Sequence, residues 1–120
     1  MFDLGHGGGT FLWPVAARAM RRGFVPDTIS TDLHPESVLL PAVDMPNCIS
    51  KLMALGMSLQ DAILRSTVNP ARAIHRFREL GTLAMGSVAD LAIFELQQGI
   101  FAFVDSWDKK LLAHASSNAY

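Results

Sequence analysis

The sequence has little of what marks specialised chains. One cysteine, Cys48, stands in 120 residues, so no internal disulfide can form and a stapled secreted domain is excluded. Cys48 lies in an apolar helical pattern, where a small buried side chain is the expected role. No apolar run approaches 18 residues without a charge, proline or glycine, which argues against a membrane span. Neither sign of charge dominates, since 10 basic and 11 acidic residues leave a net charge of −1. Arg18, Arg21 and Arg22 form the one basic cluster, and a solvated helix face explains it without a nucleic-acid partner. No basic segment followed by an apolar run opens the sequence. The reading therefore expects no signal peptide and a cytoplasmic chain.

What is present is ordinary globular composition, 50% hydrophobic and 18% charged, enough for one domain at most. No internal repeat stands out. A (β/α)₈ barrel would need roughly 250 residues.

The first third reads as strand, loop, helix, strand, loop. Residues 1–4 form a strand end that runs into Gly5-His6-Gly7-Gly8-Gly9, where four glycines in five positions let the main chain approach a ligand or metal closely. Thr10 is placed to cap a helix over 11–22, with Pro14 in its first turn and Gly23 at its end. After Pro26, the β-branched Thr28, Ile29 and Thr31 predict a strand that ends on Asp32. A helical crossover between two such strands implies a parallel pair.

A loop with Pro35 and Pro41 leads to a helix over 46–55, stopped by Gly56. Ser58 and Asp61 resemble a capping box for a helix reaching Ser66. Asn69 as cap and Pro70 at the first helical position open another. The character changes after Arg78. Residues 80–83 and 86–87 read as turns, with strands predicted over 91–94 and 100–104. The tail from 108 to 120 has no clear periodicity and is expected to fray.

Asp32 most needs explaining, because a carboxylate at the end of a buried strand is costly unless its charge is satisfied. It reads either as a site residue or as a turn or helix-cap residue. His6, between glycines, can project its ring to bond a substrate carboxylate or polarise a carbonyl; the alternative is a strand-end histidine packed on neighbouring loops. His34 reads as a partner of Asp32, a substrate contact or a solvent-facing loop residue. Gly7 offers its backbone to substrate. His75 and His114 read as surface residues, and Asp3 and Asp27 as strand-edge and turn residues. Asp90 reads as a turn aspartate bonding its own backbone. Met45, Met53 and Met57 read as core filling.

Several segments together resemble one family. Phe2-Asp3-Leu4-Gly5-His6-Gly7, the run from Gly23 to His34, Ser50-Lys51-Leu52-Met53-Ala54-Leu55-Gly56-Met57-Ser58, Ser66-Thr67-Val68-Asn69-Pro70-Ala71-Arg72-Ala73 and the turn from Leu80 to Leu91 are similar, in that order, to metal-dependent amidohydrolases of the deacetylase and dihydroorotase-like branch. The resemblance implies an α/β chain, the C-terminal part of a (β/α)₈ metallohydrolase barrel. Its last two βα units would occupy residues 1–79, part of a small β-sandwich 80–106, and a disordered tail 107–120. It further implies hydrolysis of a small-molecule amide, with one or two divalent metals, zinc above all. Asp32 would be the eighth-strand aspartate that ligates metal and carries the proton, and His6 would line the pocket from the seventh strand. The remaining ligands of the family, a His-x-His pair, a carboxylated lysine and middle-strand histidines, have no match in these residues. The resemblance thus implies an incomplete, inactive hydrolase whose exposed barrel edges favour self-association.

Overall fold

The structure, a computed structural model, describes residues 1–40, 43–75 and 79–115, with 114 and 115 described by their backbone alone. Pro41, the change of character at Arg78, the surface reading of His114 and the tail beyond 115 lie outside the described residues.

Strand β1 (Asp3–Gly5) pairs in parallel with β2 (Thr28–Ser30), with Leu4 opposite Ile29. The crossover is helix α1 (Trp13–Arg21). Asp3 ties the strands by side chain as well: Thr28 Oγ1 donates to its Oδ1 at 2.6 Å and Ser30 Oγ to its Oδ2 at 2.5 Å. Ile29, buried at the centre of β2, packs in one core with Phe11, Trp13, Cys48, Ile49, Leu52, Met57 and Ala62.

Thr10 is not the cap of α1. Its hydroxyl turns back onto the glycine loop, 2.7 Å from the Gly5 carbonyl and 2.9 Å from that of His6. Leu12 holds the cap position and has no side-chain oxygen to offer. The buried N–H of Trp13 instead donates to Asp105 Oδ2 at 3.2 Å, from a turn 92 residues away. Because helix N-termini need an acceptor, a distant carboxylate does the work of the missing local one.

Helix α2 (Met45–Ala54) begins at Asp44, whose Oδ1 accepts from Asn47 N at 2.9 Å. Helix α3 (Leu59–Ser66) is capped by Ser58 as expected, with Asp61 N donating to Ser58 Oγ at 3.1 Å; the Asp61 carboxylate accepts from the Ser58 hydroxyl at 3.0 Å rather than from its backbone N–H. Helix α4 (Val68–Ile74) starts before Asn69 rather than after it. The Asn69 amide is used elsewhere, donating to the Asp27 carbonyl at 2.7 Å and fastening α4 to the approach of β2.

The predicted strand over 100–104 is found as β3 (Gly99–Val104). It pairs antiparallel with β4 (Lys110–Ala115), Phe103 opposite Leu111. Residues 91–94 form no strand, and Ile93 stays 95% exposed; β-type side chains without a neighbouring strand do not make one. The expectation of a frayed tail fails for 110–115. That segment is poor in β-branched residues, and its order comes from the β3 ladder and from Leu111 resting on the core. No helix of the described residues is long and apolar enough to cross a membrane.

Candidate active site

Beyond the last paired residues, both strands pass into loops on the same side of the sheet. Gly7 N donates to Thr31 O at 2.8 Å, so the two chains stay joined past the ladder. Asp32 follows directly, two residues after β2 ends, with φ of 51°. That left-handed conformation is one aspartate tolerates better than most residues.

The glycine loop is shaped around this side chain. A methyl group on Gly5 would lie 2.8 Å from Asp32 Cβ, and one on Gly7 2.5 Å from Asp32 Oδ2. Gly7 itself has φ of 53°, so its lack of a side chain serves both backbone and neighbour. The Asp32 side chain is exposed and accepts no hydrogen bond among the described residues. A turn or cap aspartate normally bonds nearby backbone N–H groups, so those roles lack their defining contact here.

His34 is fully engaged in pinning loops together. Its Nε2 lies 2.7 Å from the Gly7 carbonyl and its Nδ1 2.6 Å from Glu36 Oε2. Both partners only accept, so the arrangement suits a ring protonated on both nitrogens. The Glu36 hydrogen bond, and next the Gly7 carbonyl, raise the His34 pKa; His34 in turn lowers that of Glu36.

His6 turns inward. Its residue is 3% exposed, and the ring stacks on Phe11 at 5.3 Å with 12° between planes. Its Nε2 lies 2.6 Å from Lys51 Nζ, itself 5.7 Å from the Phe11 ring centroid. Burial, then the charge of Lys51, lowers the His6 pKa; burial lowers that of Lys51. Lys51 is 1% exposed and was not singled out as a site residue by the sequence reading. The signal was available, for Lys51 follows Cys48 by three positions and precedes Leu52 on the buried face of α2, a place where a lysine is rare.

Asp32, His6 and His34 do not form a three-ligand metal site. No group of three His, Cys, Asp or Glu side chains among the described residues is placed to hold a metal ion. His34 commits both ring nitrogens to Gly7 and Glu36, and His6 commits its Nε2 to Lys51 while its buried Nδ1 meets no partner among the described residues; the Asp32 carboxylate, exposed and cradled by glycines, fits one oxygen position in a divalent metal's shell.

Comparison with known proteins gives the family. Residues 13–115 match the model of the amidohydrolase family. A deacetylase of Brucella anthropi is 39% identical over 104 residues, covering 87% of this chain and 26% of the relative. A deacetylase of Agrobacterium fabrum is 38% identical over 104 residues, covering 87% and 25%. An imidazolonepropionase of Shouchella clausii is 34% identical over 83 residues, covering 68% and 18%. Among solved structures, an adenine deaminase superposes with a TM-score of 0.85 at 33% identity, over 95% of this chain and 31% of that one. A dihydroorotase superposes with a TM-score of 0.79 at 33% identity, over 93% and 30%. The chain spans about a quarter of the length of the curated deacetylases it matches. With the match extending from α1 through β4, the chain belongs to the amidohydrolase family.

Proposed function

We propose that residues 1–79 are the last two βα units of a metal-dependent amidohydrolase barrel and 80–106 part of its β-sandwich. The complete barrel would hydrolyse a non-peptide C–N amide bond of a small cytoplasmic substrate. The observation that carries this reading is the Asp32 carboxylate, standing past the end of a parallel strand in a cradle of two glycines. Catalytic groups of such barrels come from that end of the strands.

Deacetylation of an N-acyl compound is the favoured reaction, because the two deacetylases align over 104 residues. Opening of a cyclic amide is the alternative, supported by the likeness to a dihydroorotase. A bound divalent cation, zinc in this reading, supplies water whose pKa falls from about 15.7 towards about 7. Asp32 would hold that cation through one carboxylate oxygen. The same carboxylate takes a proton from the attacking water and returns it to the leaving nitrogen. Gly7 and His34 border the substrate beside Asp32, and the inward ring of His6 suits support of their loop better than substrate contact.

Alone, the chain brings one metal ligand and no turnover. The test is a chimera in which it replaces the matching C-terminal quarter of the Brucella anthropi deacetylase. Deacetylation is expected in the chimera, and Asp32→Asn should lower kcat by roughly 10²–10⁴-fold. Undiminished turnover in Asp32→Asn would remove the proposed role.

A second reading has its own observation. The β1–β2 pair is a two-stranded parallel sheet among the described residues, an arrangement that elsewhere occurs buried on both faces. Expressed by itself, the chain would then be a non-catalytic module that associates with another chain, or with itself, through the open edges. Sedimentation as a monomer at all concentrations would count against it.

A further inference from the structure

The contact between Lys51 and His6 has no part in the proton path just described, yet it places two ionisable groups 2.6 Å apart in the core. Two cations cannot face each other there, since each would present a hydrogen to the other. One nitrogen must donate and one accept. Lys51 Nζ lies over the face of Phe11, which favours a cation. Among the other groups that act on the pair are Asp105 from the β3–β4 turn, and Cys48 and Asp44 from the α2 region. Both carboxylates also favour a charged Lys51. The ammonium is therefore the donor and His6 Nε2 the acceptor, which leaves the ring proton on Nδ1, a buried nitrogen that meets no acceptor among the described residues.

This ring anchors the loop that makes room for Asp32. The His6 carbonyl accepts from Thr10 N at 3.3 Å and lies 2.9 Å from Thr10 Oγ1, and the next residue, Gly7, bonds Thr31 and abuts Asp32 Oδ2. We propose that Lys51 is a positioning residue: its ammonium locks His6 as the neutral Nδ1–H tautomer and so fixes the glycine loop in the form that accommodates Asp32. Lys51 touches no reacting atom in this scheme. It acts through His6 and Gly7.

The assignment rests on the proposed role of Asp32 for its purpose, but its test needs no turnover. Multiple-bond ¹H–¹⁵N correlation on the purified 120-residue protein reads the His6 tautomer, and hydrogen exchange reads the Gly7 amide. The expected spectrum has Nδ1 protonated and Nε2 bare. Lys51→Met should lose that tautomer and raise Gly7 exchange by about tenfold or more, while Lys51→Arg, which keeps a donor, should restore both. A wild-type ring protonated on Nε2 overturns the proposal, as does Lys51→Met with unchanged tautomer and Gly7 protection. Should Lys51→Met fail to fold, the wild-type tautomer and the Lys51→Arg spectrum decide. A failed deacetylase chimera with the expected tautomer would strike the catalytic reading and leave the lock standing; the reverse pattern would strike the lock alone.

Discussion

A methyl group on Gly7 would sit 2.5 Å from Oδ2 of Asp32, well inside van der Waals contact. The two residues are 25 positions apart in sequence and belong to loops from different strands. Gly7→Ala should therefore suffer twice, from the clash and from a φ of 53° that alanine adopts poorly. We expect a loss of about 2 kcal/mol or more in urea unfolding. Gly9→Ala, with nothing within 4 Å of the added carbon, should stay within about 0.5 kcal/mol of the parent. Equal effects at the two positions would show that Asp32 has room to move aside.

Asp105 is the acceptor for three backbone N–H groups, those of Trp13, Trp107 and Lys109. Asp105→Ala leaves them unsatisfied and should cost about 2–4 kcal/mol, read as a lowered Tm. Burial alone would raise its pKa, but the three N–H groups outweigh that and hold it below the ordinary 3.8. A depressed folded pKa gives stability that is present above pH 3.8 and lost as pH falls through the lower folded value. Asp105→Asn should flatten that part of the acid-unfolding curve. An unchanged curve would separate Asp105 from the acid response.

Cys48 is 1% exposed, and burial, set partly against the charge of Lys51, pushes its thiol up to about 11. A thiol so placed is inert. At pH 8 a disulfide-exchange reagent should label it only as the chain unfolds, with a rate that rises through the urea transition. Rapid labelling of the native protein would contradict the buried placement.

The His34–Glu36 pair should show in an NMR pH titration. The His34 resonance should titrate above the ordinary 6.5, because Glu36 and the Gly7 carbonyl favour its charged ring. The coupling is fully present below 6.5 and fades as pH rises through the raised value. Glu36→Gln should bring the midpoint back towards 6.5. A midpoint indifferent to that change would mean the ring is held by Gly7 alone.

Local signals in the sequence carried the elements whose order is local. Ser58 and Asp61 opened α3, β-branched residues marked β2, and Pro26 and the glycine loop framed the parallel pair around Asp32. The failures share one cause, which is that their determinants lie far off in sequence. Thr10 had the chemistry of a cap, but its hydroxyl was needed by the Gly5 and His6 carbonyls, and the cap came from Asp105. Residues 91–94 had strand composition without a partner, while 110–115 gained order from β3. At the site, Asp32 stood out because a carboxylate ends a run rich in β-branched residues. Lys51 was hidden within a motif, although a lysine on the buried face of α2 carries the same kind of signal. The inward turn of His6 was not readable, since Gly-His-Gly permits either direction.

The bond from Trp13 to Asp105 reaches across most of the chain. During synthesis, α1 emerges long before the turn that satisfies its first N–H. A helix of nine residues is marginal by itself in water, so it should flicker until β3 and β4 close the loop. The order of folding would then run against the order of translation at this point. The βαβ unit made earlier would wait for the hairpin made later, and a ribosome paused before residue 105 would hold an unfinished α1.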